Sequence, residues 1–131
     1  MDLAQILNDI SESYRFLAGL NVIDISFVSG HNLEVYVALD SHQKRRGLAG
    51  LDKIDADGML FCYDAPTYSP FTMKDMKFDL DIAWYDSQGK LINNQTWTAG
   101  AKIPAVCHRS FSYVLEVPAG TLPISDLVLN G

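Results

Sequence analysis

The feature that most constrains this chain is a hydrophobic period of two that returns along most of its length. Ile23, Ile25 and Phe27 alternate with Asp24 and Ser26, and Leu33, Val35, Val37 and Leu39 alternate with Glu34, Tyr36 and Ala38. Alternation sends successive side chains to opposite faces, so each run reads as a strand. Gly30-His31-Asn32 separates the two runs and predicts a hairpin. Tyr113, Leu115 and Val117 repeat the pattern against Ser112, Val114 and Glu116. Met59 to Tyr63, Phe71 to Lys74 and Leu80 to Tyr85 read as further strands, and one from Lys90 runs on to Trp97. Leu127 to Leu129 is expected to close the sheet. Pro66, Pro70, Gly89, Pro104, Pro118 and Gly120 punctuate these runs. Short strands with a turn every ~8–12 residues predict a mainly β fold, a small antiparallel barrel or sandwich. Helices do not alternate with strands, which argues against a doubly wound parallel sheet.

Two segments break the period of two. Leu3, Ile6, Leu7, Ile10, Tyr14 and Leu17 recur at steps of three and four, which predicts an amphipathic helix over residues 3–20. Asp2 stands at its N-cap and Gly19 at its stop. Ser41 is expected to cap a short helical turn from His42 to Leu48, ended by Gly47 or Gly50. The chain thus divides into an N-terminal helix, 1–21, and a single β domain, 22–131. The helix stripe packs either on its own domain or on a protein partner or second copy of the chain.

Charge excludes some classes of function. Ten Lys and Arg against sixteen Asp and Glu give a net charge of −6. Nucleic-acid binders draw affinity from phosphate neutralisation, so an acidic chain is a poor candidate. The one basic cluster, Lys44-Arg45-Arg46, could touch a single phosphate or carboxylate. No apolar run approaches the ~20 residues that span a bilayer, so no membrane partner is expected. Asp2, Asp9 and Glu12 against Arg15 are the reverse of a secretory leader, which predicts a protein that stays in the cytoplasm or inside an assembly such as a virion. Cys62 and Cys107 are expected as free thiols.

Several clusters are candidates for chemistry. Asp55, Asp57 and Asp64 surround Gly58 as in a calcium loop, but the first ligand position would be Lys53, a cation. A solvated turn explains these acids as well. Asp79 and Asp81 fall on one face of a strand, where paired carboxylates could do acid/base work, with Lys74 as a neighbouring charge. The alternative is an ion pair between Lys74 and Asp81 that fixes register. Cys107 and His108 are adjacent, which on a strand turns them apart. Trp84 and Tyr85 are adjacent too, so one of them is expected outside the core or beneath a covering helix. Neither a metal nor a cofactor is expected, because no ligand spacing supports one.

A set of motifs resembles a known family. Gly47-Leu48 follows the basic helical turn, and Gly58-Met59-Leu60-Phe61 comes next. Phe71-Thr72-Met73-Lys74-Asp75, Leu80-Asp81-Ile82, Gly89-Lys90 and Tyr113-Val114-Leu115-Glu116-Val117 with Gly120 complete the series. In order and spacing these are similar to the small bacterial and archaeal family called domain of unknown function 192. The family usually reads G-L-M where this chain has Gly47-Leu48-Ala49, and F-W-M-K-N-T where it has Phe71 to Met76. The resemblance implies a compact, mostly antiparallel β fold of barrel type and no established activity.

The expectation is therefore a non-enzymatic binding or protein-interaction module. Arg46, Met73, Lys74 and Asp75 are candidate contacts for a ligand or partner, together with Asp79, Asp81 and Trp84. A structural subunit of a larger assembly, such as a phage virion, is the alternative from another class. A hydrolase using Asp79 and Asp81 is the third.

Overall fold

Each strand predicted by alternation finds a partner, except where the period is shortest. In the computed structural model, residues 17, 19–121 and 124–129 are described. The helix expected over residues 3–20 lies outside them apart from Leu17, Gly19 and Leu20. The strands are β1 (Asn21–Ser26), β2 (Asn32–Ala38), β3 (Gly58–Thr67), β4 (Leu80–Tyr85), β5 (Leu91–Trp97) and β6 (Phe111–Pro118). They form one six-stranded sheet in the order β1-β2-β3-β6-β4-β5. The expected hairpin is β1–β2, with Ile23 opposite Val35 and Ile25 opposite Leu33.

The sheet is mixed and open, which corrects the expectation of a closed, wholly antiparallel barrel or sandwich. β2 and β3 run parallel, with Val37 beside Leu60. Parallel neighbours need a long crossover, and residues 39–57 supply one that holds the short helix α1 (Ser41–Arg46). The N-cap of α1 is Asp40, not Ser41. Its carboxylate accepts the Gln43 amide at 2.8 Å, and the Gln43 side chain accepts the Asp40 amide in return, a capping box. The helix stops at Gly47, as expected, at φ +50°. Two expected strands are reduced to single bridges, Phe71 with Ala105 and Phe27 with Leu127.

Both faces of the sheet are covered, and this fixes where side chains can be reached. One face carries Tyr36, Met59, Phe61, Leu80, Ile82, Trp84 and Val114. Leu48 and Leu51 from the segment after α1, Phe71, Met73 and Met76 from the loop before β4, and Leu17 and Leu20 pack on it. The other face carries Leu33, Val35, Leu60, Ala83, Tyr85, Leu115 and Val117, with Phe27 and Leu127 packed against them. Trp84 and Tyr85 point to opposite faces as alternation requires, yet both are 0% exposed. Of the two alternatives expected, neither residue stands outside the core; both are covered, Trp84 on the face under α1 and Tyr85 on the face packed by Phe27 and Leu127. Leu17, the last apolar residue of the N-terminal stripe, is buried in this chain's own core.

β6 occupies the middle of the sheet, between β3 and β4. A strand buried on both faces should be apolar throughout. β6 departs from that rule at Ser112 and Glu116, the two buried polar residues of the described chain. Glu116 lies in register with Met59 on one side and Ile82 on the other, both fully buried.

Candidate functional site

Glu116 alternates with Leu115 and Val117 on β6, so its carboxyl stands on the face covered by α1 and the loop before β4. It is 4% exposed, and burial pushes its pKa up to about 8. At neutral pH it is therefore mostly a neutral acid and a hydrogen-bond donor. Gly47 lies over it: a Cβ there would come within 3.9 Å of Glu116 Oε1 and 3.4 Å of the Phe61 ring.

Glu116 lines a cleft of about 700 Å3 between α1, the start of the segment after it, β3 and the loop 69–76. Phe61 and Phe71, edge to face with centroids 5.1 Å apart, lie beneath it as part of the core, only 1% and 7% exposed. Leu48, Ala49, Pro70 and Met76 complete its apolar lining. The polar side comes from the last turn of α1, where Lys44, Arg45 and Arg46 follow one another, and from Lys74 across the opening. Lys44 Nζ sits 4.1 Å above the Tyr63 ring. Burial, then the charge of Glu116, pushes the Tyr63 hydroxyl up to about 12, so it stays protonated.

Hydrogen bonds and one strained residue hold the loop of the cleft. Asp75 adopts φ +64°, the only positive φ outside glycine among the described residues. Its carbonyl accepts the Gly50 amide at 2.9 Å, and the Met73 carbonyl accepts the amides of Met76 and Gly100. The left-handed conformation costs an ordinary residue ~1–2 kcal/mol, less for Asp or Asn. That strain is held in the wall of the cleft, where strained residues commonly mark function.

The candidate residues read from sequence fall into three places. Arg46, Lys74 and Asp75 line the cleft together. Met73 and Trp84 are 0% exposed and belong to the core behind it, so neither is a contact surface. Asp79 and Asp81 hold backbone and side-chain donors: Asp79 Oδ1 accepts the Ala99 amide at 2.8 Å, and Asp81 accepts Thr96 Oγ1 at 2.6 Å and the Gly120 amide at 2.9 Å. Asp81 alternates with Leu80 and Ile82, which places it on the face opposite the cleft. The expected Lys74–Asp81 ion pair does not form. Lys77 instead pairs with Asp52, at 3.6 Å.

The acids of the suspected calcium loop are used in the same way. Asp55 accepts the Tyr36 hydroxyl at 2.5 Å, and Asp57 accepts the Glu34 amide at 2.8 Å. Cys62 and Cys107 are free thiols, and Cys107 is buried while His108 is exposed.

Glu116, Phe61, Tyr63, Phe71 and Lys44 were not among the expected site residues. The signal for Glu116 was an acid inside the run Val114 to Val117, where a central strand has no wet face. Each departure from the motifs of the resembled family at Ala49, Thr72, Asp75 and Met76 also lines this cleft.

Comparison with known proteins agrees on the fold and leaves activity open. The profile of the DUF192 family, described as "Uncharacterized ACR", matches residues 24–128. No curated protein matches the chain. The chain is similar to a solved structure of a candidate transcription regulator from Sinorhizobium meliloti 1021, at 25% identity and a TM-score of 0.71, over 80% of this chain and 89% of that one. It is also similar to a protein of unknown function from Novosphingobium aromaticivorans DSM 12444, at 21% identity and a TM-score of 0.75, over 86% of this chain and 89% of that one.

Proposed function

As the chain belongs to the DUF192 family, we propose that it is a non-enzymatic binding module whose site is the cleft between α1, β3, β6 and the loop 69–76. The observation that carries this reading is a buried acid, Glu116, placed at the base of the cleft and beneath a cationic rim. A buried ionisable group costs stability, and a core strand could hold an apolar residue there at less cost. Groups so perturbed cluster at functional sites. The volume, about 700 Å3, falls within the ~300–1,000 Å3 usual for small-molecule sites.

Binding is favoured over catalysis by what surrounds Glu116. Among the described residues no histidine or cysteine lines the cleft, and its other acid, Asp75, is exposed. The paired acids Asp79 and Asp81 are engaged with donors elsewhere. The reading also keeps nucleic acid out of the site: the rim is one local cluster on a chain of net charge −6.

The test uses Thr72, an exposed residue at the cleft whose hydroxyl accepts the Lys74 amide at 3.0 Å. Thr72→Trp should fill part of the cleft. Small molecules that raise the Tm of the wild type should lose that effect in Thr72→Trp and keep it in Asp81→Asn. Equal stabilisation of the wild type and Thr72→Trp would place the binding site elsewhere.

A further inference from the structure

We infer that the free edge of β1 is an interaction surface that takes an added strand from a partner protein, an extended segment in which lysine or arginine alternates with apolar residues. This surface is separate from the cleft and does not rest on it.

The backbone of β1 offers the place. It is the outer strand of the sheet and pairs with β2 on one side only. The Phe27 amide bonds to the His31 carbonyl at 2.8 Å, so the backbone groups of residue 27, and by alternation those of 25 and 23, turn towards β2. Those of Val22, Asp24, Ser26 and Val28 turn outward. The chain fills half of this outward row itself. The Ser26 carbonyl accepts the Val128 amide at 2.8 Å, and the Val28 amide bonds to the Asp126 carbonyl at 2.9 Å. One end of the edge thus already accepts an added segment. Among the described residues no strand lies beyond Val22 and Asp24.

The side chains of β1 leave that edge unguarded. Sheet edges are ordinarily blunted by lysine, proline or a bulge. The opposite edge, β5, has such a device: its register with β4 shifts between Trp84 and Tyr85, and its middle is the polar run Asn93-Asn94-Gln95-Thr96. β1 holds neither lysine nor proline, and its pairing with β2 runs without a shift from Asn21 to Ser26. Val22 and Ile23 are 46% and 42% exposed, one on each face of the sheet. An added strand covers both.

Charge selects the partner. From Asn21 to Ala38 the chain has two acids, Asp24 and Glu34, and neither lysine nor arginine. The two acids stand in register with each other, and both are exposed. Like charges so placed repel, and a cation opposite Asp24 on a third strand, ~5 Å away, relieves that repulsion. A second copy of this chain would instead bring another such acid pair to the same edge, on a chain of net charge −6. Alternation then puts the partner's cations on the face of Asp24 and its apolar residues beside Ile23.

Hydrogen exchange of backbone amides, read by NMR on the whole chain, tests the edge directly. The probes are two seven-residue peptides, one alternating valine with lysine and the other valine with glutamate. The lysine peptide should protect the amides of Val22 and Asp24 saturably, and the glutamate peptide should not. Asp24→Asn should weaken the lysine peptide by about threefold, as for one exposed ion pair. Val22→Pro removes an outward amide that β2 does not use, so it should keep the fold by circular dichroism and abolish binding. Methylating the backbone nitrogens of the lysine peptide should abolish binding to the unaltered chain, a result that no variant's folding can confuse. Equal protection by the two peptides would overturn the cationic partner. Lysine-peptide binding that survives methylation, or that protects residues outside β1, would be adsorption of a cation and would overturn strand addition. Protection that rises with protein concentration, without peptide, would replace the partner by a second copy. Slow exchange of Val22 and Asp24 in the dilute, free chain, or no protection by either peptide, would overturn the inference.

Discussion

Glu116 is the residue on which most depends, and its effect on stability has a definite sign. Its folded pKa is raised from 4.5 to about 8 by burial. The folded state therefore binds more protons than the unfolded state between those values. The contribution of the protonated side chain is fully present below about 4.5 and is lost as pH rises through about 8. A shift of that size corresponds to several kcal/mol. Relative to wild type, Glu116→Gln should be close to neutral at about pH 5 and should gain stability steadily towards about pH 8; urea unfolding at both values checks this. Two more residues carry predictions of their own. Asp75→Val should cost about 1–2 kcal/mol, because a β-branched side chain resists φ +64°, while Asp75→Asn should be near neutral. The Tyr85 hydroxyl is buried without a hydrogen-bond partner among the described residues, so Tyr85→Phe should leave stability unchanged or raise it by up to about 2 kcal/mol.

The short helix α1, six residues long, shapes the proposed site. Its capping box holds the first turn, and its last turn delivers three cations in succession to the cleft. Asp40→Ala should cost about 1 kcal/mol of stability and weaken ligand binding without touching any residue that lines the cleft. Thermal unfolding and calorimetry on the same sample measure both effects. How much of this was legible in the sequence follows from what each element encodes locally. The β1–β2 hairpin and β4 are readable because alternation and a turn define them within a few residues. The parallel pairing of β2 with β3 is not, because a period of two says which face is buried and nothing about strand direction. Asp40 and Ser41 are both good N-cap residues, and only the Gln43 that stands three residues beyond Asp40 completes the capping box and decides between them. The strand expected from Phe71 to Lys74 became a loop because Phe71 pairs only with Ala105 and the chain then turns at Asp75.

Over the whole molecule, the sheet keeps two jobs on two faces. The face under α1 holds the cleft, and the opposite face holds Asp81 with its bonds to Thr96 and Gly120. Asp81 and Glu116 looked interchangeable in sequence, two acids on strands of alternating pattern. The order β3-β6-β4 separates them, because it makes β6 central and buries its Ser112–Val114–Glu116 side, with Glu116 at the base of the cleft. Sequence alternation had marked that side as the polar one. Motif and charge singled out Arg46, Lys74 and Asp75, which line the cleft, whereas Phe61 and Phe71 carried no signal beyond that of the core in which they are buried. The division by face is measurable: Asp81→Ala should cost about 1–3 kcal/mol in unfolding free energy and leave ligand affinity unchanged. The most direct measurement of the central claim is a backbone-amide chemical-shift map of the isotope-labelled protein titrated with a mixed set of small anionic, cationic and neutral molecules. The cleft as binding site predicts saturable shifts concentrated at Lys44, Gly47, Phe61, Tyr63, Phe71 and Lys74, with Asp79 and Asp81 unmoved. Shifts centred on Asp79 and Asp81, or a spectrum that no probe alters, would contradict it.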